Sequence, residues 1–231
     1  MGQLTSEFLQ MLEKIEPTLK ENLIMLQQYA AKADSLDGVW AAGCMNRVFG
    51  IIDASFTLEE MLSIVETEGD LDRLVAMSKA SYTYLNLVGL FHDLLDNIGY
   101  IYGIKVLSLS PKANAKSFQQ LFDSENKSLW RPSADPALNV NLEGLFSTAQ
   151  QFTLLDNQYK HKYSPGLIQL EQPEGFIRGL PKSLTGNIVT FLDLGVVPIS
   201  RALKEAKIIC DQLLPVVSSA AIGLLKYVPE G

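Results

Sequence analysis

From Asp70 to Tyr102 the chain reads DLDRLVAMSKASYTYLNLVGLFHDLLDNIGYIY, and this stretch decides the fold. Leu74, Met77, Tyr84, Val88, Phe91, Leu95, Ile98 and Tyr102 recur at spacings that line one stripe of an α-helix, and Gly103 is placed to stop it. At 1.5 Å per residue the helix would be about 45–50 Å long. That is enough to run the length of a domain, so this segment is expected to be the spine of an all-α, single-domain helical bundle spanning 1–231.

Helical periodicity continues on both sides. Upstream, Phe8, Leu12, Ile15, Leu19, Leu23 and Leu26 repeat at three and four residues, and Pro17 is placed to start a second helix or bend the first. Thr57-Leu-Glu-Glu60 reads as a capping box opening a short helix, within an N-terminal group of helices over 1–69. Downstream, a shorter helix near Lys112–Phe122 precedes a loop holding Trp130, Pro132 and Pro136. A second long helix is expected over Asn139–Lys162, and a small hairpin near 165–177, where Gly and Pro concentrate. The last third, about 182–228, returns to helix, broken near Gly195–Pro198 and again at Pro215.

Composition sets the class. Hydrophobic residues make up 47% and charged residues 19% of the 231 positions, as in a folded globular chain. A formal net charge of −7 supplies no general basic field for nucleic acid, so RNA contact would need a local patch. The two cysteines, Cys44 and Cys210, lack metal-ligand spacing and read as thiols in apolar surroundings. We therefore expect a soluble, cytoplasmic protein with no cofactor and no dedicated metal centre. Asp193, Asp211, Pro198 and Pro215 are expected to interrupt any membrane-spanning window. The opening Met-Gly-Gln-Leu-Thr-Ser matches the myristoylation pattern, with Gly2 as acceptor.

Chemistry has few places to reside, because there are two histidines. On the spine, His92 projects about 60° from the centre of the apolar stripe. Asp96 sits beside it one turn on, and Asp93 faces solvent. The pair His92–Asp96 fits a ligand-binding or metal-ligating pair, a base held by a carboxylate, or a plain helix-surface hydrogen bond. No Glu-x-x-His partner accompanies it. The second histidine lies in Leu154-Leu-Asp-Asn-Gln-Tyr-Lys-His-Lys-Tyr163. There Asp156 and Lys160 continue the buried face of Leu142, Leu145, Ala149 and Phe152, and His161 points about 120° away. Either the helix emerges into solvent at that end, or the stripe opens onto a polar pocket. Trp130-Arg131-Pro132, Tyr100 and Tyr102 could line a ligand pocket, although buried anchors in a helical core are the commoner role of such residues.

Asn157, Lys160 and His161 resemble the Asn-x-x-Lys-His portion of the HEPN superfamily, whose usual signature is an Arg followed four to six residues later by His. The spine is similar in style to the long aromatic-rich helix preceding that signature, so the resemblance covers about 70–163. It implies a helical bundle, frequent homodimerisation and, in active members, metal-independent RNA cleavage in toxin–antitoxin or phage defence. There Arg stabilises charge at the scissile phosphate and His handles the proton. Here Asp156 stands where the Arg belongs, and a carboxylate repels phosphate. Lys160 is a point charge without guanidinium geometry. The expectation is thus a degenerate, non-catalytic member working through dimerisation or a protein partner. If catalysis survives, Asp156, Asn157, Lys160 and His161 carry it. The alternatives are an all-α enzyme with a pocket around His92, Asp96, Asp156 and His161, or a structural interaction module. RNA remains a candidate ligand throughout.

Overall fold

The computed structural model describes residue 13 and residues 15–32, 34–67, 70–108, 176–178, 196–198 and 206–228. Among them the fold is all-α, with one small strand pair. Helix α1 spans Pro17–Ala30, α2 Leu36–Thr67 and α3 Asp70–Lys105. The C-terminal helix, Ala206–Lys226, contains a π-helical turn at Ile209–Leu213 and an α-helical part, α4, at Leu214–Lys226. Strand β1, Phe176–Arg178, pairs antiparallel with β2, Val196–Pro198, so that Ile177 faces Val197. Phe176 and Ile177, the last residues of the segment where a hairpin is expected, pair with a strand from beyond Gly195, where a break is expected. The rest of that segment, and the helices expected near 112–122 and 139–162, lie outside the described residues.

The starts of α1 and α2 have local causes. Pro17 occupies the first turn of α1, where a missing N–H costs nothing, and the Glu16 carboxylate accepts from the Leu19 amide at 3.0 Å. Slight desolvation pushes the Glu16 carboxyl up. Bonds from the Leu19 and Thr18 amides and the Thr18 hydroxyl outweigh it and hold the group below its ordinary value. Ser35 caps α2, its hydroxyl oxygen accepting from the Gly38 amide at 3.0 Å while donating to the Lys32 carbonyl at 2.8 Å.

Two sequence expectations fail for one reason, the dominance of tertiary burial over local signals. Thr57 does not open a helix, because α2 runs unbroken through it. Ile51, Ile52, Ala54, Leu58 and Met61 bury a continuous face across the supposed boundary. Gly103 does not end the spine either. Helix α3 continues to Lys105, with Ile101 and Tyr102 buried and the turn closing at Ser108, whose φ is 55°.

Helices α2 and α3 form the centre as an antiparallel pair. Gly50 faces Leu90, Trp40 meets Tyr100 edge-on at 5.5 Å, and Asp37 reaches Lys105 at 3.0 Å. A Cβ on Gly50 would lie 2.8 Å from Leu90 Cδ1, the end of a flexible side chain that would have to shift. The buried face of α3 is wider than one stripe. Besides Tyr84, Val88, Phe91, Leu95, Ile98 and Tyr102, it includes Ala80, Leu87, Leu94 and Ile101. The reason is that α3 packs against both α2 and α4, while α1 covers α2 and α4 from the other side. Tyr102 is thus a core anchor and Tyr100 a partner of Trp40.

The C-terminal helix is not broken at Pro215. Proline removes an N–H and crowds the carbonyl four residues back. Here the π turn shifts bonding, the Leu214 amide reaching Ile209 O, so the helix passes through. Pro215 and Asp211 therefore do not interrupt this segment: with mean hydropathy 1.8 over its apolar window, it is long and apolar enough to cross a membrane, and half of that window is buried inside the protein. The Asn22 amide of α1 clamps it by donating to Ser218 Oγ and Ser219 Oγ, each at 2.9 Å, and to Pro215 O at 3.3 Å.

Candidate functional site

Helix α3 carries the polar pair predicted from sequence. His92 Nε2 lies 3.6 Å from Asp96 Oδ2, one turn apart, with the imidazole side chain 12% and the carboxylate 36% exposed. The imidazole is at the edge of the core because its neighbours Phe91, Leu94 and Leu95 are fully buried, while Asp93 faces solvent. At 3.6 Å the contact is an ion pair only when His92 is protonated. Asp156, Asn157, Lys160 and His161 lie outside the described residues, as do Trp130–Pro132. Among the described residues no group of three His, Cys, Asp or Glu side chains converges to hold a metal.

Toward its N-terminal end, α3 exposes an apolar ridge. Leu71, Val75 and Tyr82 are 74%, 62% and 62% exposed. At 100° per residue they fall within about 40° of one another, along about 16 Å of helix. Their exposure contrasts with Ala76, Ala80 and Tyr84 on the opposite face, which are buried. Leu36 and Val39 form a second exposed apolar spot at the start of α2.

A cavity of about 270 Å³ lies between α1, α2 and the π turn. Its polar side is built from Ser55 and Glu59 of α2 and from Lys207, Cys210 and Asp211. Lys207 Nζ pairs with Glu59 Oε1 at 2.9 Å at its rim. Burial pushes the Cys210 thiol up to about 12; a hydrogen bond with Ser55 opposes this and the negative charge of Asp211 adds to it. Cys44, in the α2 core, is likewise pushed up to about 12 by burial, against the pull of Arg47. Both thiols are free and neither is an activated nucleophile.

No family model, curated protein or solved structure matches the chain. The cavity residues escape sequence reading because they come from three separate segments. The one available signal is Asp211, a carboxylate set among apolar residues of the C-terminal helix.

Proposed function

We propose that the protein is a HEPN-like, non-catalytic helical module that works by self-association through the N-terminal part of α3. The observation that carries this is the ridge Leu71, Val75 and Tyr82, three large apolar side chains aligned on a helix that buries Ala76, Ala80 and Tyr84 on its opposite side. Water-exposed apolar ridges gain free energy when a partner covers them. The ridge supplies the apolar centre of an interface and the flanking polar positions, among them Lys79, its rim. Ribonuclease chemistry is disfavoured by Asp156 in the place of the expected Arg and by the net charge of −7. A heterologous protein partner is the second reading, favoured by the separate apolar spot at Leu36 and Val39.

Two measurements test this. Light scattering after size exclusion is expected to return twice the mass of 25.5 kDa; a monodisperse monomer at high loading removes the self-association reading. Incubation with a mixed RNA pool is expected to leave the RNA intact. Cleavage that disappears in His161→Ala would overturn the non-catalytic assignment.

A further inference from the structure

Buried positions along the C-terminal helix run Ala206, Ile209, Leu214 and Val217, with a five-residue step at the π turn where an uninterrupted α-helix would step by three or four. Cys210 and Asp211 lie within this turn and line the cavity. The turn thus carries an anionic group beside an apolar recess, and π turns recur at functional sites.

The recess has lining residues of two kinds. Ile15, Leu19, Ile52 and Phe56 are apolar, and Glu59, Lys207 and Asp211 are charged. Lys207 is taken by Glu59 at 2.9 Å. Among the described residues Asp211 makes no ion pair, so the charges of the described lining residues sum to one negative. A volume of about 270 Å³ equals that of about nine liquid waters. That is below the usual range of nucleotide or drug-sized pockets.

We propose that this cavity binds a small organic cation, a primary amine on an apolar body of about nine non-hydrogen atoms. The body packs on Ile15, Leu19, Ile52 and Phe56, and the ammonium bonds to Asp211. The exposed Glu59–Lys207 pair, with both side chains 49% exposed, contributes little stability and opens readily as the entrance. This site is independent of the ridge on α3.

The test is calorimetric titration of the full chain with 2-phenylethylamine, 2-phenylethanol and phenylacetate, which share a body and differ in charge. The amine is expected to bind at least about tenfold more tightly than either of the others, the strength of one charge-assisted hydrogen bond at a partly exposed acid. Asp211→Asn, on the protein surface and safe for folding, is expected to bring the amine down to the level of the alcohol. Ser55→Phe, which fills the recess, is expected to abolish binding of all three. Equal binding of the three probes overturns the proposal. So do an amine affinity unchanged in Asp211→Asn, and the lack of amine binding at about 10 mM, the weakest affinity expected for a ligand of this size.

Discussion

Replacing Lys105 by Met tests the packing of the bundle at one atom. Lys105 Nζ lies 3.0 Å from both carboxylate oxygens of Asp37 and donates to Leu225 O at 2.9 Å. It therefore ties the last turn of α3 to the first turn of α2 and to the last turn of α4. The Leu225 carbonyl is one of the four at a helix end that lack an intrahelical donor, so the ammonium acts as its cap. The lysine side chain is 15% exposed and Asp37 34%, which places the pair between a surface and a buried bridge. Methionine keeps the apolar stem and removes only the charge. The lost charge-assisted bonds, discounted for the exposure of Asp37, and the orphaned carbonyl together cost about 2–3 kcal/mol. In urea this lowers the midpoint by about 1 M for a slope of about 2–3 kcal/mol/M. Asp37→Asn alone should cost about 1 kcal/mol, and the double variant should show coupling of about 1 kcal/mol. A loss below about 0.5 kcal/mol for Lys105→Met, the value of an ordinary surface pair, refutes the cross-brace.

Two further outcomes follow from single positions. A Cβ on Gly38 would meet the Lys32 carbonyl oxygen at 2.0 Å, and because that atom is backbone it cannot step aside. Gly38→Ala should therefore destabilise by at least about 2 kcal/mol despite the helix-propensity gain of about 1 kcal/mol, whereas Gly43→Ala should be neutral or stabilising, as urea midpoints will show. Both thiols should react far more slowly with Ellman's reagent at pH 8 than a free cysteine, Cys210 first because it lines the cavity. Since burial raises both values in the folded state, their contribution to stability is complete below the ordinary 9.0 and drains as pH rises from there toward about 12. Free-thiol rates at pH 8 would contradict this.

The core of α3 was legible because its apolar spacing is unbroken over many turns, and tertiary packing agrees with it from Tyr84 to Tyr102. What escaped were boundaries. Thr57 and Glu60 carry a capping signature in the middle of α2, where the continuing buried face of Leu58 and Met61 overrides it. Gly103 is a stop signal only if the chain may leave the core there, and α3 stays packed to Lys105. Pro215 reads as a break because sequence rules weigh the missing N–H and not the π turn that absorbs it. His92 was placed at the core edge by angle alone, because its flanking residues define the stripe so sharply. The cavity was invisible for the opposite reason: its walls are ordinary apolar residues drawn together from positions as distant as Ile15 and Cys210.

The central claim, that the exposed ridge of α3 is where copies of this chain meet, is tested most directly by sedimentation equilibrium of the wild type against Leu71→Asp and Tyr82→Asp. Both positions lie on the solvent face, so the variants should fold as the wild type does by circular dichroism. Each buried aspartate at an interface should weaken association by at least about tenfold, while Lys79→Ala beside the ridge leaves it nearly unchanged. A wild-type dimer that persists with equal affinity in both aspartate variants would contradict the account.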